Sequence, residues 1–309
     1  MDRRPGEHRK DAAGQTGKEV GNNIMVETVN LSAGYGKCEI LHGVDFRAGR
    51  GRVTTLIGTN GSGKSTLLRV ILGFLPFRDG DVKIDGISLK TMSREALARK
   101  IAYLPQGKSV PDISAERMVL HGRFPYLRYP RKYGAEDYRI AGAAMEQMGI
   151  TEYADRQMSE LSGGMRQKVC IAMALAQQAE VIVMDEPTTY LDIGQQLKFA
   201  EMMRRLSENG KTIILVLHDI LLALKLSDRI AALQDGRILR FGTPEEILQS
   251  GVLERLYDVS VKSLQTEAGV QYYYEIPDLA GNEGTIEKHF VPYFGEAEES
   301  AGAETKFRA

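Results

Sequence analysis

Nine consecutive residues constrain this chain more than any others: Gly58, Thr59, Asn60, Gly61, Ser62, Gly63, Lys64, Ser65 and Thr66. The β-branched, apolar run 53–57 ahead of them predicts a strand, and residues 65–72 behind them have a helical pattern. Three glycines let backbone N–H groups turn inward without a Cβ in the way. The helix that follows adds the positive end of its dipole. Strand, glycine-rich turn, Lys-Ser and helix, in that order, make a loop that cradles phosphate groups. In such a loop Lys64 reaches the β- and γ-phosphates of a nucleotide, and the Ser65 hydroxyl ligates Mg2+. A chance glycine-rich turn would not need the strand before it or the helix after it.

A second element has the same logic. Residues 181–184 form a continuous apolar run that ends in Asp185 and Glu186. A buried strand thus delivers two carboxylates at its end. Asp185 can hold a Mg2+-bound water, and Glu186 can orient the attacking water or take its proton. Neighbouring carboxylates on a loop are ordinarily just solvated, but these two terminate a strand in a chain that already has a phosphate loop.

The third element is Ser162, Gly163 and Gly164, between Leu161 and a helix whose Met165, Val169, Ala172, Met173 and Ala176 fall on one face. Ser162 suits an N-cap, and the glycine pair frees N–H groups to face an anion. By itself Ser-Gly-Gly is more often a loop than a site.

Strand runs at 53–57, 181–184 and 212–217 alternate with helical stretches, which predicts an α/β fold with a largely parallel sheet. Ligands bind such sheets at the carboxyl ends of their strands, where Gly58, Asp185 and His218 stand. From about 107 to 175 the pattern is helical, with candidates at 115–120 and 135–148, and reads as an inserted subdomain. Residues 1–24 are polar and aperiodic, a disordered leader; 25–260 carry the folded domain. Residues 261–309 are a C-terminal extension, expected to be partly mobile, with a strand-like stretch at 271–276 that has no evident partner.

Bulk properties exclude several classes. A formal net charge of −1 over 309 residues offers no global attraction to nucleic acid or an anionic membrane. The two cysteines, Cys38 and Cys170, have neither disulfide-framework nor zinc spacing. No apolar run approaches the roughly 18 residues that cross a bilayer, and the first residues lack a signal-peptide core. The chain is expected inside the cell, brought to any membrane by something else.

Taken in order, residues 58–66, residues 161–164 and residues 184–187 resemble the ATP-binding cassette family over about residues 28–250. The resemblance implies an ATP-binding core with an antiparallel β part and an inserted helical subdomain. It also implies further roles. Tyr35 matches the aromatic residue that stacks on adenine, and Gln106 the glutamine that contacts Mg2+ and the attacking water. Asp192 matches the loop after the catalytic Glu186, and His218 the histidine that contacts the γ-phosphate. Where the family commonly has Gln or Glu, this chain has Met165. In the family, ATP on one subunit's phosphate loop is closed over by Ser162, Gly163 and Gly164 of another, so a second copy of the chain is implied.

Two stretches narrow the branch. Residues 121–126 and 188–193 are similar to importers of ferric siderophores, haem and cobalamin. That branch implies transmembrane permease subunits docked on the helical subdomain, an extracytoplasmic substrate-binding protein, and a peripheral place on the cytoplasmic side of the inner membrane. Pro125 should hold Phe124 extended, presenting Phe124 and Tyr126 outward. The aromatic and basic residues of 123–133 have another reading, a stacking platform for single-stranded nucleic acid. The near-neutral chain and the flanking motifs favour no nucleic-acid partner. Two rivals remain: a non-transport ATPase of the same family, and a non-catalytic nucleotide-binding regulator. Lys64, Glu186 and His218 weigh against the regulator.

Overall fold

The computed structural model describes residues 23–105, 110–189, 191–267 and 269–275. Gln106 and nearly all of the expected leader and acidic tail lie outside these residues. In chain order the strands are β1 (Ile24–Tyr35), β2 (Cys38–Gly49), β3 (Val53–Gly58), β4 (Phe77–Ile84), β5 (Ile87–Ser88), β6 (Ile101–Leu104), β7 (Val181–Asp185), β8 (Thr212–Val216), β9 (Arg229–Gln234), β10 (Arg237–Gly242), β11 (Ser260–Thr266) and β12 (Gly269–Glu275). The α-helices are α1 (Lys64–Ile71), α2 (Arg94–Lys100), α3 (Ala115–Leu120), α4 (Ala135–Gln147), α5 (Gly163–Ala176), α6 (Ile193–Glu208), α7 (Ile220–Leu226), α8 (Pro244–Gln249) and α9 (Val252–Tyr257).

The central sheet runs β10-β9-β3-β8-β7-β6, parallel throughout except for the antiparallel edge strand β10. Its middle strands are buried on both faces, and period-two alternation assigns each residue to one of two cores. Ile182, Met184, Ile213 and Leu215 face helices α3 to α9. Val181, Val183, Ile214 and Val216 face α1 and the four-stranded antiparallel sheet β2-β1-β4-β5. The runs 181–184 and 212–217 are therefore apolar without a gap because neither face meets water.

Residues 115–176 supply the expected helical insertion. Helix α5 is its spine, with Val169, Ile171, Ala172, Ala174 and Ala176 all buried. The face read from sequence was too narrow: α3 and α4 pack on one side of α5 and the sheet on the other, so Ile171 and Ala174 are covered as well. Local chemistry sets the helix starts. Ser162, Asp192 and Asp219 accept the N–H groups of Met165, Gln195 and Leu222 at 3.3, 2.8 and 3.0 Å.

Beyond residue 260, β12 pairs with β11 in a two-stranded sheet, and Val261 and Tyr272 pack on the helical core. That burial carries the compact unit through Tyr274, past the limit near 260 read from composition. Residues 271–275 of the strand-like stretch find their partner here. Cys38 and Cys170 are both free thiols, and burial pushes the Cys170 thiol above its usual range.

Candidate active site

The phosphate-loop residues leave β3 at Gly58 and enter α1 at Lys64. Gly58 has φ 151°, and a Cβ there would stand 2.3 Å from the Leu233 carbonyl oxygen on the neighbouring strand. Gly63 caps α1 at φ 105°, where a Cβ would stand 2.9 Å from the Leu41 side chain. Neither position tolerates any other residue without displacing its neighbours. Ser62 and Thr66 are buried, whereas Asn60, Gly61 and Ser65 are exposed at the mouth of the loop.

Lys64 is only 6% exposed. Its ammonium donates to the carbonyls of Gly58 and Thr59 at 2.8 and 2.9 Å, so the loop folds around its own cation. Burial pulls the Lys64 pKa below its usual value, and the carboxylates of Glu186 and Asp185 work against that shift.

Asp185 ends β7 beside the Ser65 hydroxyl. Burial raises its pKa and Glu186 adds to the rise; Ser65, Lys64 and Arg69 oppose it. Its Oδ1 is buried with no hydrogen-bond partner. An orphaned carboxylate oxygen next to a hydroxyl is a hard-oxygen donor set that fits Mg2+, which takes few protein ligands and completes its shell with water and phosphate. Among the described residues no cluster of three His, Cys, Asp or Glu could hold a metal alone.

Glu186 occupies the left-handed region, φ 49°, a strained conformation for a residue with a side chain. Its amide continues the sheet by donating to the Val216 carbonyl at 3.2 Å, which holds the strain in place. His218, just past β8, has Nε2 2.5 Å from Glu186 Oε1. With the carboxylate accepting, the hydrogen sits on Nε2. Lys64, Ser65, Asp185, Glu186 and His218 thus gather at the carboxyl ends of β3, β7 and β8.

Tyr35 ends β1, is 44% exposed, and its hydroxyl accepts from Arg69 of α1 at 3.1 Å. The remaining expected residues form a separate group. Ser162 and Gly163 are exposed at the start of α5. A Cβ on Gly164 would stand 3.5 Å from the side chain of Gln195, whose amide Asp192 caps. Among the described residues no hydrogen bond joins Ser162, Gly163 or Gly164 to the loop 58–66. Within one chain Ser162, Gly163 and Gly164 thus stand as a group apart from the phosphate loop. Sequence reasoning missed Gly236 and Tyr257. The Gly236 amide donates to the Ser62 carbonyl at 3.0 Å, and the Tyr257 hydroxyl accepts from the Gly58 amide at 2.6 Å. Neither lies in a motif, and nothing in one sequence marks them.

The segment 121–126 departs from expectation. It is a 3-10 helix that includes Pro125, so Phe124 is not extended. Arg99 Nε donates to the Pro125 carbonyl and Tyr126 Oη to the Gln177 carbonyl, and these contacts fix the turn. Tyr126 is half-buried with the Arg123 guanidinium 4.0 Å from its ring centre, while Phe124 is 49% exposed. The two aromatic residues have different jobs.

The fold and the loop 58–66 with Lys64, Asp185 and Glu186 together define a phosphate-loop ATPase. Residues 41–189 match the family model described as ABC transporter. The petrobactin import ATP-binding protein FpuD of Bacillus anthracis is 37% identical over 234 residues, which span 75% of this chain and 86% of that protein. The iron(3+)-hydroxamate import ATP-binding protein FhuC of Bacillus subtilis (strain 168) is 37% identical over 77% of this chain and 89% of its own length. Among solved structures, an ATP-binding cassette of an ABC transporter in its ADP conformation superposes with a TM-score of 0.69 at 25% identity, covering 76% of this chain and 98% of that one. The chain belongs to the ABC transporter family. It is an ATP-binding, ATP-hydrolysing subunit.

Proposed function

We propose that this ATPase drives uptake of a ferric siderophore, with haem and cobalamin as the neighbouring cargo classes, as a pair of identical subunits docked under a permease. The observation that carries the catalytic half is the Glu186–His218 contact beside Lys64, Ser65 and Asp185. The cargo rests on the names of the relatives and on the residues 121–126 and 188–193.

In this reading ATP lies on the exposed rim of the loop at Asn60 and Gly61, with adenine against Tyr35. Lys64 leaves the Gly58 and Thr59 carbonyls for the β- and γ-phosphates, exchanging two neutral acceptors for charged ones. Ser65 and Asp185 would hold Mg2+, which would offset the charge of the phosphates. Glu186 Oε1 takes the proton of the attacking water, and His218 keeps that carboxylate oriented towards it. The partner copy brings Ser162, Gly163 and Gly164, with the α5 N-terminus behind them, onto the γ-phosphate. The family resemblance gives Gln106, which lies outside the described residues, the contact with metal and water.

No described helix is long and apolar enough to cross a membrane. In this reading permease subunits hold the subunit at the cytoplasmic face, and an extracytoplasmic binding protein loads them with cargo. Co-expression with the permease and binding protein encoded beside it tests this. Accumulation of radiolabelled ferric siderophore should depend on this subunit and disappear with Glu186→Gln. Uptake that is indifferent to Glu186→Gln would overturn the proposal.

A further inference from the structure

We propose that Tyr257 is a positioning residue for the phosphate loop, setting ATP affinity through the Gly58 amide; this rests on reading residues 58–66 as the ATP site. Tyr257 is the last residue of α9, where Asp258 turns the chain into β11 with φ 55°. Its hydroxyl reaches the Gly58 amide at 2.6 Å across 199 positions of sequence.

Gly58 has no side chain by which the fold could hold it, and a Cβ would collide with Leu233. Its backbone is the handle. The N–H is held by Tyr257, and the carbonyl accepts from Lys64 at 2.8 Å. At the other end of the loop the Ser62 carbonyl accepts the Gly236 amide at 3.0 Å, and the Gly236 carbonyl in turn accepts the His42 amide at 2.9 Å. The loop is thus pinned at both ends by chain that follows the catalytic residues, and Asn60 and Gly61 between the pins face outward.

The two contacts on Gly58 matter unequally once ATP arrives. Lys64 must leave the Gly58 carbonyl to reach the phosphates, and the Tyr257 hydroxyl, with the pairing of Gly58 and Leu233 between β3 and β9, still fixes residue 58. Burial pushes the Tyr257 pKa up to about 12, with Tyr274 of β12 adding to the rise, so the pin stays neutral beside a polyanion. Glu186 and His218 stand on other strands. Losing the pin therefore raises the cost of ordering the loop around ATP and leaves the chemical step alone.

Tyr257→Phe keeps the ring and deletes the oxygen. A net hydrogen bond of ordinary strength corresponds to a rise in KM for ATP of about three- to tenfold. The kcat should stay within about twofold, and the thermal melt of the full chain should fall by no more than about 4 °C, the cost of one buried hydrogen bond. Tyr272→Phe, a hydroxyl deletion in the hairpin that follows α9, should change none of these. An unchanged KM in Tyr257→Phe would overturn the proposal. So would a melt lowered by about 10 °C or more alongside the KM rise, which means general loosening, or a lost kcat at constant KM. Lys64→Ala, measured alongside by calorimetry with ATP, separates the two levels. If it loses ATP binding and Tyr257→Phe does not, the positioning role falls alone. If it binds ATP normally, the site reading falls and the role falls with it.

Discussion

Replacing Arg123 by Met tests the account of the helical subdomain. The Arg123 side chain is 6% exposed and its Asp137 partner 15% exposed, with Nε and Oδ1 3.0 Å apart. Its Nη1 donates to the Ala176 carbonyl and to Gln178 Oε1, both at 2.9 Å, which ties the 3-10 turn to the end of α5. The guanidinium also covers the Tyr126 ring. Met fills the space of the aliphatic stem but leaves Asp137 charged and unpaired by Arg123, and strips the Ala176 carbonyl of this donor. Breaking a buried pair from one side costs about 3–5 kcal/mol. The Asp137 Oδ2 contact with the Gly134 amide survives, since it does not involve the arginine. The assay is urea unfolding of the purified subunit followed by circular dichroism, with a double-mutant cycle to Asp137→Asn. Asn can still accept from Gly134, so the double variant should lose markedly less than the two single losses added together. A loss under about 1 kcal/mol for Arg123→Met, or simple additivity in the cycle, would refute the buried-pair reasoning.

Four further outcomes follow from the same geometry. Glu186→Gln should bind ATP normally and almost stop turning over, because the amide keeps the shape but cannot take a proton; a near-normal rate would place the catalytic base elsewhere. Specific ATPase activity should rise with protein concentration across the dimerisation range, since in the proposed pairing Ser162 of one copy serves ATP on Lys64 of the other; activity independent of dilution would count against a composite site. Phe124→Ala should leave the melt and the basal ATPase near those of the parent while weakening permease assembly, whereas Tyr126→Ala should lower the melt, because Tyr126 is bonded to Gln177 and covered by Arg123; equal behaviour of the two would contradict the division seen here. Asp185→Asn should stabilise the subunit in chelator at pH 8: the folded pKa is raised, so the charged form carries a penalty above that pKa and none below the unfolded value near 3.8. The gain should shrink as pH falls towards 4, and a gain that grows on acidification would reverse the assigned sign.

The sequence by itself determined the parts of this protein whose chemistry is local. A phosphate loop needs glycines at fixed offsets from a lysine, a doubly covered strand needs an unbroken apolar run, and a helix start needs a capping oxygen. Residues 53–66, 181–186 and 162–165 state those needs in consecutive letters. Tertiary structure alone decided what depends on residues distant in sequence. It set Glu186 against His218, left Asp185 Oδ1 without a partner, and turned Arg123 and Tyr126 inward while Phe124 stayed outside. It also bound the Gly58 amide to Tyr257, 199 positions further along the chain. Burial and partnership are properties of the packed chain: whether an arginine among aromatics faces water or a carboxylate depends on which helix lies over it, and composition within a short window does not hold that information.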